Sequence, residues 1–378
     1  MTQGKRLRVG ILFGGRSGEH EVSLASAASV IRALDPEKYE AVPIGIDKDG
    51  RWLVSQKAQK MLADVLKNGD RVLLPADPSA ATLVPLGAGS GQPSVPVDVV
   101  FPVLHGTFGE DGTVQGLLEL ANMPYVGAGV LGSAIGMDKD VQKRLFAQAG
   151  LPVVPFVVFR RSEWEKNREN IAADVLTRLR LPIFVKPAAA GSSLGMTKVT
   201  TREQLPEAID FAAQFGLKVI IERGVDAREI EVSVLGNDEI RASIPGEIVP
   251  HREYYDYKAK YIESGTKLVI PAELSQKQVQ YFQELAVKSF RAIDGTGMAR
   301  CDFFLERETG EIYVNELNTI PGFTSISMYP KLWEASGLPY SKLIDELISL
   351  AIDLHQQKSK TKYTIDLPAG SGGALDAQ

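Results

Sequence analysis

The chain has 378 residues, a length that predicts two or three domains and excludes a single small module. Hydrophobic residues make up 44% of the sequence and charged residues 24%, which excludes a disordered chain and a fibrous repeat. The formal net charge of −5 argues against a protein that coats nucleic acid or an anionic membrane, although it permits a local cationic pocket.

Cysteine content and hydropathy narrow the class of protein further. Cys301 is the only cysteine, so the chain forms no intrachain disulfide and no Cys-rich zinc site. The apolar run at residues 9–13 is too short for a signal-peptide core, and no run reaches transmembrane length. These features predict a cytoplasmic protein.

The first part of the chain alternates predicted strands and helices. Residues 8–13 and 41–47 predict strands, and a helix of small residues lies between them from about residue 23 to 34. The continuous apolar run at 97–105 is typical of a strand that is covered on both faces. The pattern predicts a parallel α/β sheet, with an exposed excursion at residues 75–96, which are rich in Pro, Gly, Ser and Ala.

The second part predicts a compact α+β unit. A helix follows the Met-Asp-Lys sequence at 137–139 and ends near Gly150, a residue type common just after helices. Beyond it, strands are predicted at 156–159, 182–187 and 218–225, with helices at 163–180 and 202–215.

The third part predicts a further unit of strands and helices. Strands are predicted at 229–236, 240–249, 298–306 and 311–318, with a polar, aromatic loop at 250–266, a helix from about 275 and a closing helix with one apolar face. Thr309 and Gly310 form the turn between the last two strands, and residues 369–378 predict a disordered tail.

Oxygen ligands cluster on the last predicted strand pair. Glu316 and Asn318 share one face of a strand, and Asp302 joins them if the two strands are antiparallel. Such ligands suit Mg²⁺, whereas the alternative is a polar hairpin face. The Pro-Gly turn that follows can bring backbone N–H groups beside the metal. Arg300 lies on the same face as Asp302 and is either a surface arginine or a binder of anions.

A second candidate site begins at the predicted strand that contains Lys186. The Gly- and Ser-rich segment 186–196 can cradle phosphates through its backbone N–H groups, although its order excludes a Walker loop and a flexible hairpin loop would use the same residues. Glu222, at another strand end, either accepts a hydrogen bond from a ribose or adenine or is a solvated strand end.

The glycine-rich turn at 14–23 lacks the dinucleotide fingerprint. Its acids, Glu19 and Glu21, either flank a helix dipole or bind a substrate ammonium. His105, alone at a strand end, is of a kind more often structural than catalytic. The segment 253–261 contains four tyrosines and two lysines, which predicts either a surface loop or a lid that excludes water.

Together these motifs resemble the D-alanine–D-alanine ligases of the ATP-grasp superfamily. The resemblance covers about residues 8 to 357 and is carried, in order, by GGRSGEHEVS, LHGTFGEDGTVQG, MDK, KPAAAGSSLG, AREIEV, YDYKAKY, RCDFF and NELNTIPGFTS. It implies a fold of the α/β and α+β classes, a three-domain ATP-grasp architecture with an N-terminal parallel α/β domain. The implied limits are 1–137 for the N-terminal domain, 138–228 for the central domain, 229–360 for the C-terminal domain with the lid at about 250–266, and 361–378 for a tail.

The resemblance also implies a role for each site residue. Lys139, Lys186 and Lys260 contact ATP phosphates, Glu222 and the backbone at Val225 meet the adenine, Glu229 binds the ribose, and Phe304 packs on the base. Asp302, Glu316 and Asn318 bind two Mg²⁺ ions, with Mn²⁺ as an alternative. Glu19, in a hydrogen-bond set with Ser192 and Tyr261, accepts the ammonium of the first D-alanine, and His105 lies near it. Arg300 and the Gly322 amide form the oxyanion site, and Ser327 contacts the carboxylate of the second D-alanine.

The implied reaction joins two D-alanine molecules through an acyl phosphate, for peptidoglycan precursor synthesis. A homodimer is implied, with no nucleic-acid or membrane partner. The alternative within the family is a D-alanine–D-lactate ligase, and Tyr261 favours the dipeptide. Alternatives of other classes are an NAD-linked oxidoreductase, which leaves the acidic cluster unexplained, and a non-catalytic nucleotide-binding module.

Overall fold

The structure is a computed structural model that describes residues 6–55, 62–80, 82–87, 93–249 and 267–364. The strands of these residues form three sheets, and helices pack on each of them. The three sheets confirm the mixture of α/β and α+β units that the sequence predicts. None of the described helices is long and apolar enough to cross a bilayer.

The first sheet has seven strands, of which the three at one edge are parallel. Its elements are β1 (Leu7–Gly14), α1 (His20–Ala33), β2 (Tyr39–Ile46), β3 (Trp52–Val54), α2 (Leu62–Asn68), β4 (Asp70–Leu73), β5 (Thr82–Pro85), β6 (Val95–Pro96), β7 (Val99–Pro102), α3 (Thr113–Leu120) and α4 (Val130–Met137). The strand order is β6-β5-β4-β3-β2-β1-β7. Only the pairs of β1 with β2 and with β7 are parallel, while β3 to β6 extend the sheet in antiparallel pairs.

The sequence patterns missed this antiparallel extension. The segment 75–96, predicted as an exposed excursion, contributes β5 and β6, and Leu83 in β5 is 2% exposed. A short strand with one buried side chain has too little periodicity to stand out among Pro, Gly and Ser. The predicted strand at 97–105 pairs only over β7, although its neighbours Val103 and Leu104 are buried as well.

The second sheet has four antiparallel strands in the order β10-β9-β11-β8. Its elements are α5 (Lys139–Gln148), β8 (Phe156–Arg160), α6 (Arg161–Lys166), α7 (Arg168–Arg178), β9 (Ile183–Pro187), β10 (Thr197–Val199), a 3₁₀ turn (Arg202–Gln204), α8 (Leu205–Ala213) and β11 (Lys218–Arg223). The single helix predicted at 163–180 is two helices, because Asn167 adopts a non-helical backbone with φ −147° and ψ 46°.

The third sheet has six strands, in the order β15-β14-β12-β16-β17 with β13 paired to β12. Its elements are β12 (Ala227–Gly236), β13 (Arg241–Ala242), β14 (Gly246–Val249), β15 (Lys267–Val269), α9 (Gln276–Ala292), β16 (Gly297–Glu306), β17 (Ile312–Asn318), α10 (Met328–Ala335) and α11 (Tyr340–Lys358). The strand predicted at 240–249 is interrupted between β13 and β14, where Pro245 has no N–H to donate to a ladder.

Two helices connect the units through their cores. Phe146 of α5 is fully buried and packs with α9 and the third sheet. The apolar face of α11, including Leu343 and Leu347, packs in one core with α1 and the first sheet. The sheets are therefore held around a common space. The domain limits at residues 137 and 228 stay predictions.

Candidate active site

A cleft of about 1370 Å³ lies among the three sheets. Every predicted site residue within the described part of the chain lines it: Glu19, His105, Lys139, Lys186, Ser192, Glu222, Val225, Glu229, Arg300, Asp302, Phe304, Glu316, Asn318, Gly322 and Ser327. Lys260, Tyr261 and the rest of the predicted lid at 250–266 lie outside the described residues.

The antiparallel hairpin of β16 and β17 carries the candidate metal ligands. Burial alternates along β16, so that Arg300, Asp302 and Phe304 face the cleft while Cys301 faces the core. The predicted antiparallel pairing places Asp302 opposite Glu316, and Arg300 opposite Asn318. The side chains that the spacing along the two strands predicts to be neighbours are therefore neighbours in the structure.

Ion pairs neutralise both carboxylates of this hairpin. Arg300 donates through Nε and Nη2 to the two oxygens of Asp302, at 2.7 Å each, and Asn318 Nδ2 donates to Asp302 Oδ2 at 2.9 Å. Lys139 Nζ lies 3.1 Å from Glu316 Oε2. Burial opposes the charge of Lys139, but Glu316 outweighs that effect and raises the lysine's pKa. Both acids therefore have a cationic partner at the cleft.

The N-terminus of α5 places Lys139 at the cleft. The Asp138 side chain caps this helix by accepting from the N–H groups of Asp140 and Val141, so that Lys139 is its first residue. Lys139 Nζ also donates to the carbonyl of Ala190 at 3.0 Å, in the loop that follows β9. This lysine therefore bridges the Gly- and Ser-rich loop and the acidic hairpin.

Two adjacent strands of the second sheet contribute the next pair. Lys186 on β9 alternates with buried neighbours and faces the cleft, and its Nζ lies 3.1 Å from Glu222 Oε2 on β11. Burial alone would raise the pKa of Glu222, but Lys143 and Lys186 more than offset this and lower it. Glu222 is therefore a buried carboxylate and not a solvated strand end.

Glu19 joins the first unit to the second. It is the N-cap residue of α1, in the turn between β1 and that helix, and its side chain accepts a hydrogen bond from Ser192, which lies 173 positions further along the chain. Added Cβ atoms at Gly106 and Gly191 would lie 3.0 and 2.8 Å from Glu19 Oε2. Glycine is required there because the backbone approaches the carboxylate closely.

The loop after β17 contains the remaining predicted residues. Thr324 N–H donates to Ser327 Oγ at 3.1 Å, and a Cβ at Gly322 would lie 3.0 Å from the same oxygen. The two residues are thus neighbours at the start of α10. On the other side of the cleft, Glu229 and Phe304 are directly paired across β12 and β16.

The ring of His105 is fixed on both sides. Nδ1 lies 3.2 Å from the carbonyl of Ile320, which can only accept, so Nδ1 carries the proton. Nε2 lies 3.2 Å from Ser26 Oγ and accepts from it when the ring is neutral. Burial lowers the pKa of His105, which favours this neutral form. The contacts match the structural role that a lone histidine more often has.

Three residues of the site were missed in the sequence. Glu110 and Glu231 line the cleft, and Lys143 lies directly behind it. Glu231 on β12 faces Asp302 across the sheet, and its Oε2 lies 3.1 Å from Arg300 Nε. The alternation of β12 placed Glu229 and Glu231 on one face, a signal that could have identified the second acid.

Glu110 is expected to make stability depend on pH. Burial and the carboxylate of Glu19 raise the pKa of Glu110 to about 8, although it accepts from the Gly106 N–H at 2.9 Å. The folded state then holds this proton more tightly than the unfolded chain, so stability falls as pH rises from about 4.5 to 8. Glu110→Gln is expected to remove that loss, which for a pKa difference of about 3.5 is about 4–5 kcal/mol, and so to raise Tm by several degrees at about pH 8.5.

The measurement is Tm for both proteins at about pH 5 and pH 8.5. Gln keeps an oxygen acceptor for the Gly106 N–H, so the backbone contact is preserved. Substitution of the exposed Glu308 by Gln is the control for general carboxylate removal. An equal Tm difference between Glu110→Gln and the unchanged protein at both pH values would show that Glu110 ionises normally.

The donor set of the hairpin fits a hard divalent cation. Asp302, Glu316 and the Oδ1 atom of Asn318 supply oxygen only, the ligand type that Mg²⁺ and Mn²⁺ take. Among the described residues no group of three or more His, Cys, Asp and Glu side chains is placed to hold a metal ion. Two carboxylates and one amide leave room for phosphate oxygens and water, as Mg²⁺ sites commonly do.

Comparisons with known proteins agree with this geometry. The family models "D-ala D-ala ligase N-terminus" and "D-ala D-ala ligase C-terminus" match residues 8–128 and 145–349. The D-alanine–D-alanine ligase of Heliobacterium modesticaldum is 51% identical over 93% of this chain and 96% of its own length. Two solved structures, each 37% identical, match as well. The D-alanine-D-alanine ligase of Coxiella burnetii has a TM-score of 0.84 over 94% of this chain and 97% of its own. The D-Ala:D-Ser ligase of Enterococcus faecalis has a TM-score of 0.82 over 92% and 100%.

Proposed function

The chain belongs to the D-alanine–D-alanine ligase family, and from this membership we propose that its cleft joins two D-alanine molecules in a reaction driven by ATP. The protein is an ATP-dependent ligase with an ATP-grasp fold, and its product is a precursor for peptidoglycan synthesis. One observation carries the assignment of the site. Glu19, the lysines Lys139 and Lys186, and the Asp302–Glu316 pair come from different units and line a single cleft.

The cations of the cleft bind the polyphosphate. Lys139 and Lys186 are held by carboxylates, at 3.1 Å each, and both line the cleft. Lys260 approaches the transferred phosphate from the lid. The lysines offset the negative charge that moves as the γ-phosphoryl group is transferred.

The nucleoside end lies against the second and third sheets. Glu222 and the backbone at Val225 form hydrogen bonds with the adenine. Glu229 binds the ribose hydroxyls, and Phe304 packs against the base. Glu229 and Phe304 are adjacent across the strands, so a ribose and a base can be met at once.

Asp302, Glu316 and Asn318 hold the divalent metal. The family uses ATP with a divalent cation, and we propose two Mg²⁺ ions, which Mn²⁺ can replace. When bound, the metal supplies positive charge to the phosphate oxygens. Arg300 contacts Asp302 and Lys139 contacts Glu316, so a bound metal would share these carboxylates with the two cations.

The reaction has two steps. The carboxylate of the first D-alanine attacks the γ-phosphorus of ATP, which gives an acyl phosphate and ADP. The free amine of the second D-alanine then attacks the acyl carbon, and the tetrahedral intermediate expels phosphate as the new amide nitrogen loses a proton. Water has to be excluded because it would hydrolyse the acyl phosphate, a task suited to the lid.

Each substrate has its own contacts. Glu19, oriented by Ser192 and Tyr261, accepts from the ammonium of the first D-alanine, and His105 lies beside it. Arg300 and the Gly322 N–H stabilise the oxygen of the tetrahedral intermediate, while Ser327 binds the carboxylate of the second D-alanine. A cytoplasmic location and a homodimer belong to the same proposal; the location rests on the hydropathy of the sequence and the homodimer on the resemblance alone.

Product analysis tests the function directly. The protein is incubated with ATP, Mg²⁺ and D-alanine, alone and with D-lactate or D-serine, and the products are identified by mass spectrometry. We expect one dipeptide, one ADP and one phosphate per turnover, with D-alanyl-D-alanine as the main product in every arm. D-serine is included because one solved relative is named a D-Ala:D-Ser ligase.

Two outcomes would contradict the proposal. Formation of only the depsipeptide with D-lactate would make the chain a D-alanine–D-lactate ligase. A mixed D-alanyl-D-serine product in preference to the D-alanine dipeptide would change the second substrate. The family match already favours the dipeptide ligase over an NAD-linked oxidoreductase or a non-catalytic nucleotide-binding module.

A further inference from the structure

A fully buried lysine lies behind the base end of the cleft. Lys143 is on α5, one helical turn after Lys139, and its side chain is 0% exposed. Its Nζ donates to the carbonyl of Asn315 at 2.9 Å and lies 3.4 Å from Glu222 Oε1. A lysine is rarely buried to this degree unless its ammonium has specific partners.

Glu222 therefore lies between two lysines, one at each oxygen. Oε2 is 3.1 Å from Lys186 Nζ on the cleft side, and Oε1 is 3.4 Å from Lys143 Nζ on the core side. Oε1 is buried and accepts no hydrogen bond from any described residue. Lys143 therefore contacts Glu222 from the core side, which leaves the Oε2 side of the carboxylate towards the cleft and a ligand there.

Lys143 also fixes an irregularity of β17. The register between β16 and β17 shifts after the Asp302–Glu316 pair, which leaves Asn315 as an extra residue opposite the next step. Such a bulge frees backbone groups from the ladder and turns the neighbouring side chain. The freed carbonyl of Asn315 is the one that Lys143 binds, so a single ammonium joins the bulge beside Glu316 to the carboxylate of Glu222.

We propose that Lys143 is a positioning residue that fixes the carboxylate of Glu222 for the exocyclic 6-amino group of adenine, and that it thereby determines the selectivity of the ligase for ATP. The inference rests on the proposed role of Glu222 at the base. Lys186 is also proposed to contact a phosphate, which draws its ammonium away from Glu222 when ATP is bound. Lys143 is then the cation that remains beside the carboxylate.

The proposal separates base recognition from phosphate binding. Purine riboside 5′-triphosphate has the ring, ribose and phosphates of ATP but no 6-amino group. A hydrogen bond to a charged acceptor is expected to favour ATP over this analogue by about 10- to 100-fold in kcat/KM. Loss of Lys143 is expected to abolish most of that preference, because Glu222 is no longer held in place.

Lys143→Met is the first test, because Met keeps the length of the side chain and removes the ammonium. The ratio of kcat/KM for ATP to kcat/KM for the analogue is measured for the full chain with D-alanine and Mg²⁺. We expect the ratio to fall to within about 3-fold of the ratio of Glu222→Gln, and the double variant to show no further loss. Lys143→Gln, which keeps an N–H donor for Asn315, is expected to have an intermediate ratio and serves if the Met variant folds poorly.

Phe146→Leu is the matched control for a structural effect. Phe146 is on the same helix, is fully buried and packs in the core beneath the third sheet, away from the cleft lining. This variant is expected to be less stable than the unchanged protein but to have the same ratio of kcat/KM for ATP to kcat/KM for the analogue. A role of Lys143 that is only structural would lower kcat/KM for both nucleotides equally and leave the ratio intact.

The outcomes distinguish the inference from the proposal on which it rests. If the unchanged protein and Glu222→Gln both use the two nucleotides equally well, Glu222 does not read the 6-amino group, and the adenine assignment is wrong. If the unchanged protein prefers ATP and Glu222→Gln does not, but Lys143→Met and Lys143→Gln keep the full preference, the inference about Lys143 is overturned.

Discussion

Substitution of Asp302 by Asn is expected to lower kcat by about 10³-fold, equivalent to about 4 kcal/mol of transition-state stabilisation, with the fold retained. Asp302 is the carboxylate on which the proposed metal site depends, since it faces Glu316 across the hairpin. Asn has the same shape but no charge, so it binds a hard divalent cation weakly. The measurement is kcat at saturating ATP, Mg²⁺ and D-alanine, with circular dichroism as the check on folding.

The choice of Asn over Ala follows from the contacts of Arg300. Its guanidinium is 16% exposed and is held by Asp302 and Glu231. Removal of the whole Asp302 side chain would leave a cavity and a partly unpaired buried cation, which is a separate cause of instability. Asn keeps an oxygen for one N–H of Arg300, so the loss of activity reports mainly on the carboxylate.

Asp98 offers a matched control for this experiment. Asp98 accepts from Arg8 Nε at 2.9 Å and Nη2 at 2.6 Å, the same two-pronged pair that Arg300 makes with Asp302, but it is absent from the cleft lining. Asp98→Asn is expected to retain turnover. Undiminished turnover in Asp302→Asn, or an equal loss in both variants, would contradict the metal assignment.

The sequence predicted best those features that depend on spacing within one strand or one hairpin. Period-two alternation placed Arg300 and Asp302 on one face of β16, as observed, and Cys301 faces the core. The same rule placed Glu316 and Asn318 together. Here the local backbone geometry alone decides which side chains are neighbours, so one sequence suffices.

Contacts between distant segments could not be derived in this way. Ser192 donates to Glu19 across 173 positions, and nothing in the spacing of either loop specifies that pair; only the family resemblance did. The bulge at Asn315 was missed because an extra residue in a strand leaves no mark on its polarity pattern. Lys143 was missed because a lysine on a helix is normally interpreted as solvated, and its partners lie on two other elements.

The proposed role of Arg300 at the oxyanion site depends on the shape of its side chain as well as on its charge. Its Nε lies within 3.1 Å of both Asp302 and Glu231, and its Nη2 contacts Asp302. Burial would lower the pKa of Arg300, but the surrounding carboxylates outweigh it and raise the pKa well above its ordinary value. The guanidinium is therefore a permanent cation on the same strand face as Asp302, one of the proposed metal ligands.

Arg300→Lys is expected to lower kcat by about 10²- to 10³-fold and to change KM for ATP by only a few-fold. Lysine keeps the charge, but its single ammonium cannot pair with two carboxylates and also reach the oxygen of the tetrahedral intermediate. Steady-state kinetics with D-alanine gives both constants.

If Arg300 acted only by placing Asp302, additional Mg²⁺ would restore the rate, whereas a missing contact to the intermediate is not restored. Arg8→Lys makes the same change in the Arg8–Asp98 pair and is expected to leave kcat unchanged. Full activity of Arg300→Lys, or a loss confined to the KM for ATP, would remove Arg300 from the oxyanion site.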